Sequence, residues 1–451
     1  MTALISRHAG LTDLLALHRQ NPDAYPFLLQ SAVADAGRHA NARYDILFAF
    51  PGETLVLDPA GRLHGAVSGT DDFLTALDEM WRQAGKDRSR PGDVPFAGGW
   101  FLYLGYELAN QIEPRLRLPM PAGALPVASA TRIPAAILND HRRGETLLVA
   151  ETRDQLQRVQ TDFANLSPTP PAALPQLTLH EDPPDSYLRG VERVKQYIVE
   201  GDVFQVNLSR AWRGERPADL MPADVYAALC RANPAPFAGL ACFPGGSIIS
   251  SSPERLLQLH DRIAETRPIA GTRPRSATNA GDRALKRELI AHPKERAEHI
   301  MLIDLERNDL GRVCQPGTVS VDEMMALETY AHVHHIVSNV RGRLRDDVTP
   351  GQAIRATFPG GTITGCPKER CMAIIAELEQ TARGAYTGSL GYLNHDGDLD
   401  LNILIRTIIL DTHSVTMRAG AGLVADSVAA QELEETRHKA RGMLLALGAV
   451  A

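Results

Sequence analysis

The chain has 451 residues, 44% of them hydrophobic and 22% charged, with a formal net charge of −7. This is the composition of a globular protein with room for two or three domains, or for one elaborated fold. The acidic balance gives no electrostatic case for nucleic acid, and no apolar run approaches the roughly 20 residues that cross a membrane.

In chain order, MTALISRHAGLTDLLALHRQ is interrupted by His8, Asp13 and His18 and has no secretion-signal core, so a cytoplasmic protein is expected. YDILFAF (44–50) and ETLLVA (145–150) read as strands, and the spacing predicts a helix over 73–85. A proline-rich stretch, 166–186, reads as a linker between an N-terminal part, 1–165, and a C-terminal part, 187–451. Beyond it a helix is predicted over 186–202, ending near Gly201, followed by an alternating strand, FQVNLSRAW (204–212). SIIS, RLLQLH, GSLGYL and LNILIRTIIL (401–410) are further strands; 294–310 and 428–447 are long amphipathic helices. Many strands and long helices without βαβ alternation predict an α+β fold around antiparallel sheet. The five cysteines (Cys230, Cys242, Cys314, Cys366, Cys371) are odd in number and form no CxxC pair, so neither a disulfide framework nor a zinc site is expected.

Chemistry gathers in the C-terminal part. Glu295 and Glu298, then Glu432 and Glu435, stand at i, i+3 on two predicted helices, with His299 beside the first pair. Such pairs usually only solvate a surface. Turned inward together, they would make an all-oxygen site suited to Mg²⁺. AGAGLVADS (419–427) precedes the second pair, where N–H groups at a helix start would favour an anion. FPGGTITGCPKER (358–370) has glycines at P-loop spacing, but Cys366 and Pro367 follow Gly365 where a nucleotide loop needs Lys and Ser/Thr. That leaves a structural turn or a cradle for a different anion. Glu254 in SSPERLL is either exposed at a strand start or held for acid–base work. Arg406, inside LNILIRTIIL, is either a structural ion pair or a carboxylate receptor.

Together SSPERLL, RPIAGTRPR, KERAEHIMLIDLERNDLGRV, HHIVSNV, FPGGTITGCPKERCMAIIAELE, AYTGSLGY, NILIRT, AGAGLVADS and ELEET resemble the chorismate-utilising enzymes. That family includes anthranilate, aminodeoxychorismate, isochorismate and salicylate synthases. The motifs follow the family's order, and FLLQS (27–31) with GGWFLYLGYEL (98–108) resembles its amino-transferring members. The resemblance implies an α+β sandwich of two large antiparallel β-sheets with helices outside. It implies Mg²⁺ held by Glu298 and Glu435, with Glu295 and Glu432 supporting through water. The metal and the backbone at Gly420 and Gly422 would hold the ring carboxylate of chorismate, and Tyr386 and Arg406 the enolpyruvyl carboxylate. Glu254 would protonate the departing C4 hydroxyl, His335 and Thr362 would line the ring, and Thr364, Gly365, Lys439, Gln205 and Ala270 would complete the pocket.

Members that add water carry a lysine base where Gln205 stands, and glutamine cannot deprotonate water. The resemblance therefore implies ammonia as nucleophile. No cysteine has the surroundings of an amidotransferase nucleophile, so a separate glutamine amidotransferase subunit is the implied partner. FPGGTITG, VHHIVS and RYDILFAFP resemble the aminodeoxychorismate branch, which leads toward para-aminobenzoate. Ala270 in RPIAGT, where that branch typically has lysine, resembles anthranilate synthases. The expected product is 4-amino-4-deoxychorismate, with anthranilate as the alternative. A non-catalytic chorismate-binding regulator would lack the acidic residues, and Glu254, Glu298 and Glu435 are present. FLLQS with NPAPF (233–237) resembles a tryptophan pocket of relatives; core packing of Leu28, Leu29 and Phe237 explains the same residues.

Overall fold

The computed structural model describes residues 3–33, 42–65, 69–85, 92–167, 172–276, 278–329 and 333–449. Among these residues the chain forms two antiparallel sheets, of 12 and 11 strands. The larger runs, edge to edge, through Leu4–Ala9, Glu145–Ala150, Ala135–Asp140, Tyr44–Ala49, Phe27–Gln30, Phe237–Phe243, Gly246–Ser252, Thr407–Asp411, Ser414–Leu423, Gln205–Glu215 and His180–Glu181. Gly365–Cys366 pairs with the start of Gln205–Glu215. The smaller runs through Ile269–Pro274, Val333–Arg343, Ile263–Thr266, Arg255–His260, Leu399–Asn402, Ser389–Asn394, Gly99–Leu104, Ala128–Ile133, Thr54–Leu57 and Leu63–His64, with Ser320–Thr329 on Val333–Arg343.

The sheets face each other and helices cover their outer sides, as period-2 alternation dictates. In Tyr44–Ala49, Ile46 and Phe48 enter the core between the sheets, and Leu47 and Ala49 the core under the outer helices. In Gly99–Leu104, Phe101 and Tyr103 point inward, and Trp100, Leu102 and Leu104 toward the helices of the other side. Phe27 of one sheet stacks on Phe101 of the other at 4.1 Å. Each such fully buried side chain contributes about 1.5–3 kcal/mol. The expected sandwich with helices outside is the observed fold.

The helices predicted at 73–85, 186–202, 294–310 and 428–447 are Phe73–Gln83, Pro184–Val199, Pro293–Gly311 and Ala429–Ala446. The second stops before Gly201, whose φ of +84° suits a residue without Cβ. LNILIRTIIL, expected as one strand, is two: Leu399–Asn402 in the smaller sheet and Thr407–Asp411 in the larger. Division of the chain at 166–186 is not a division of the core. Phe27–Gln30 pairs with Phe237–Phe243, and Gly99–Leu104 with Ser389–Asn394, so both sheets run through both parts. Of the expected linker, His180–Glu181 is already sheet, and residues 168–171 lie outside the described residues. No helix among the described residues is long and apolar enough to cross a membrane.

Candidate active site

Two neighbouring segments cross from one sheet to the other side by side. Pro253 and Glu254 carry the chain from Gly246–Ser252 to Arg255–His260, and residues 403–406 carry it from Leu399–Asn402 to Thr407–Asp411. The crossings are tied together. Ser252 Oγ donates to the Ile403 carbonyl, Ile403 N–H to the Glu254 carbonyl at 3.0 Å, and Ser251 N–H to the Arg406 carbonyl at 3.1 Å. Pro253 has no N–H to keep the chain in the first ladder. Arg406 sits at φ +52°, a sharp bend that a strand interior would not hold. It therefore stands on a crossing and not within a strand.

Glu254 is buried, which resolves its sequence-level ambiguity toward a held carboxyl. Burial pushes its pKa up to about 7; the Thr362 hydroxyl, the Ile269 N–H and the cations Arg406 and Lys439 pull the other way without cancelling it. The Thr362 hydroxyl and Glu254 Oε1 are both buried without a hydrogen bond of standard geometry. His335, on Val333–Arg343, is also buried. Burial, then the charge of Arg406, drives its pKa down to about 3, and its Nδ1 lies 3.4 Å from the Gly271 carbonyl. It is a neutral ring that shapes the site and does not titrate near neutral pH. Ala270 is buried on the adjoining strand, opposite Ile336.

The two carboxylate helices bring their pairs to the same region. Gln205 Nε2 donates to Glu298 Oε1 at 2.8 Å, Arg273 pairs with Glu295 at 3.1 Å, and Lys439 pairs with Glu435 at 2.7 Å while donating to the Gly420 carbonyl at 3.0 Å. Burial, then the charge of Glu295, raises the pKa of Glu298, and Glu435 adds to the rise. Glu432 and Glu435 both act on the buried Tyr187 hydroxyl. Lys439 keeps 44% of its side chain accessible. The glutamates do not close into one tight cage. Among the described residues, the acidic group with ligand atoms all within 4.8 Å is His260, Asp261 and Asp398, at an exposed turn where Asp398 accepts from His260 Nδ1 and Asp261 N–H.

Gly420 and Gly422 lie in Ser414–Leu423, opposite Ser209 and Asn207, and not at the start of the helix, which begins at Ala429. Their role is closeness. A Cβ on Gly422 would stand 2.4 Å from Gln205 Nε2, and one on Gly420 2.9 Å from the Tyr386 hydroxyl. The glycines of FPGGTITG likewise serve packing. A Cβ on Gly361 would stand 2.3 Å from Leu305 Cδ2, and Gly365, at φ +133°, would place one 2.1 Å from the Gln205 carbonyl. Thr364 turns its hydroxyl back on Gly360 O at 2.9 Å, leaving Thr362 as the loop hydroxyl that faces Glu254.

Residues 40–445 match the family described as chorismate binding enzyme. The chain belongs to the chorismate-binding enzymes. It is 43% identical over 380 residues to an anthranilate synthase component I-like protein of Synechocystis, covering 83% of this chain and 78% of that one. It is 42% identical over 365 residues to aminodeoxychorismate synthase component 1 of Bacillus subtilis, covering 78% and 77%. The crystal structure of anthranilate synthase component I from Streptococcus pneumoniae superposes with a TM-score of 0.80 at 31% identity, covering 90% and 93%.

As a chorismate-binding enzyme the chain acts on chorismate, and its site has support that motif reading missed. Behind Tyr386, Arg383 donates to Glu379 at 2.6 Å, the Asn207 carbonyl at 2.7 Å and the Ile363 carbonyl at 3.1 Å. Arg418 shares Glu379 at 2.8 Å, and Glu107 from the N-terminal part accepts the Arg383 N–H at 2.7 Å. This buried network joins the Tyr386 turn, the Thr362 loop and the Gly420 strand. No sequence signal separates Arg383 from its polar neighbours in ELEQTARG; only the fold buries it.

Proposed function

We propose that this chorismate-binding enzyme aminates chorismate with ammonia and releases 4-amino-4-deoxychorismate. The observation that carries amination is Gln205. Its amide is committed as a donor to Glu298, so the strand that would present a base to water presents none. Glu254, enclosed and with its pKa pushed up to about 7 by burial, is suited to give a proton to the C4 hydroxyl, a poor leaving group without one. Arg406 and Tyr386 would receive the enolpyruvyl carboxylate. The donor set Glu298 and Glu435, with Glu295 and Glu432 around them, is all oxygen, and its like charges raise Glu298, so the residues fit a hard divalent cation. Mg²⁺ bound there would neutralise the ring carboxylate of the substrate.

Ammonia would come from an amidotransferase partner. Burial pushes every thiol of the chain up, Cys230 to about 12, Cys314 to about 11, and Cys242, Cys366 and Cys371 in the same direction, so none is poised to attack an amide. For the product, FPGGTITG, VHHIVS and RYDILFAFP carry the resemblance to the aminodeoxychorismate branch. Ala270 and the anthranilate synthase relatives favour the second reading, anthranilate with release of pyruvate.

Incubation with chorismate, Mg²⁺ and ammonium, followed by mass analysis, separates the two. The expected product retains the enolpyruvyl group; anthranilate and pyruvate would overturn the assignment. Glutamine should replace ammonium only when an amidotransferase subunit is added. Glu298→Ala and Glu435→Ala should each weaken Mg²⁺ binding in calorimetry and cut turnover by about 100-fold or more, the range of a lost charge-stabilising group.

A further inference from the structure

The strand Gln205–Glu215 sends Val206 and Leu208 into an apolar core beneath it, so Gln205, Asn207 and Ser209 share its other face, toward the site. Two of these three side chains are engaged there. Gln205 donates to Glu298 at 2.8 Å, and Ser209 Oγ donates to Glu379 at 2.8 Å and accepts from Arg418 at 3.0 Å. Asn207 is engaged through its backbone, its N–H on the Thr364 carbonyl at 2.9 Å and its carbonyl accepting from Arg383 at 2.7 Å. Its side chain makes no hydrogen bond, and Oδ1 is buried. Asparagine is a poor strand residue, and a buried amide oxygen without a partner costs about 1–3 kcal/mol. Asn207 therefore weakens the fold and makes no side-chain contact that offsets the loss.

That side chain stands at the Tyr386 end of the site. In the ladder Asn207 lies opposite Gly422, and Ser209 opposite Gly420, so two residues without side chains border it. The position a Cβ on Gly420 would take is 2.8 Å from Asn207 Oδ1 and 2.9 Å from the Tyr386 hydroxyl, so the amide and the phenol flank one small space. Lys439 Nζ donates to the carbonyl of the same Gly420 at 3.0 Å. An amide, a hydroxyl and an ammonium group thus meet around one glycine, each able to donate to an anion.

We propose that Asn207 is a further substrate-binding residue, whose carboxamide shares with Tyr386 the chorismate carboxylate that Tyr386 receives. The inference rests on the carboxylate role proposed for Tyr386. A carboxylate accepts hydrogen bonds and donates none, so it takes the N–H₂ end of the amide. Half a turn about the last side-chain bond of Asn207 puts that end where the oxygen stands, within the same outline. The turn breaks nothing, because no hydrogen bond holds the side chain. The strand stays in place through Thr364 and Arg383. In the complex an unsatisfied amide and a desolvated carboxylate then satisfy each other.

The test is calorimetry of chorismate binding to the full chain, with Mg²⁺ and without ammonium, beside thermal melts. Asn207→Ala should weaken binding about tenfold or more, the loss of a hydrogen bond to a charged group, without lowering Tm, because it removes no hydrogen bond within the protein. Asn207→Asp keeps the shape and replaces the N–H₂ with a like charge; it should weaken binding about 100-fold or more, and it decides the matter if Asn207→Ala fails to fold. In the double variant with Tyr386→Phe the two losses should fall short of additive, as for groups on one carboxylate. Unchanged affinity in either folded Asn207 variant, a lower Tm with affinity kept, or losses that add in full overturn the proposal. Tyr386→Phe is the control for the underlying role. If it leaves affinity unchanged, the role of Tyr386 fails and that of Asn207 with it; if it weakens binding and Asn207→Ala does not, only Asn207 is misassigned.

Discussion

At position 254 burial raises the carboxyl's pKa to about 7, at a cost in stability once the group is charged. The folded state binds that proton more tightly than the unfolded chain does. Its contribution is therefore fully present below the ordinary carboxylate range and is lost as pH rises toward about 7. Above that the buried charge costs up to about 3 kcal/mol, the difference between an ordinary carboxylate and about 7 converted at 1.36 kcal/mol for each tenfold step. On the proposed general-acid role Glu254→Gln should abolish turnover, and on the burial cost it should raise Tm by several degrees at pH 8 with little effect at pH 4.5; a lower Tm at pH 8 would contradict the burial cost. The natural enzyme's kcat should fall as pH rises through about 7. Much of this was legible in SSPERLL, which placed a carboxyl after a proline in a strand context. The burial of Glu306 was not: between Asp304 and Arg307 it reads as part of a solvated face, and only three-dimensional packing turns it inward.

Among the elements, the strands were easier to find than to place. Their faces are both buried, one between the sheets and one under helices, so apolar residues run on continuously and carry no mark of where a strand changes sheet. That is why LNILIRTIIL reads as one strand and Arg406 as its anomaly. The glycine-rich loop was legible as special but not in its reason, because spacing cannot distinguish a cradle from a close contact. Gly365→Ala tests the contact. It would force a left-handed φ on alanine and press Cβ against the Gln205 carbonyl. The expected cost is about 2 kcal/mol or more, read as a lower denaturant midpoint, with a higher KM for chorismate as the strand bearing Gln205 shifts.

For the molecule as a whole, neither part of the chain owns a complete core. Residues 187–451 alone would expose the edges at Phe237–Phe243 and Ser389–Asn394, where the N-terminal strands pair, and would lose the Glu107 acceptor behind Tyr386. That fragment should be insoluble or molten when expressed alone, and should regain chorismate turnover only when residues 1–186 are supplied. A folded, active fragment would show that the shared sheets are dispensable. The sequence suggested two parts because a proline-rich stretch marks a break along the chain, which says nothing of hydrogen bonds across it. The twin crossings have one more consequence. The helix with Glu295 and Glu298 is seated on the smaller sheet and the helix with Glu432 and Glu435 on the larger, while Glu254 and Arg406 stand on the seam. Residues 254 and 406 thus take their spacing from the hydrogen bonds that tie the two crossings, whereas the spacing of the two glutamate pairs is inherited from how one sheet packs on the other.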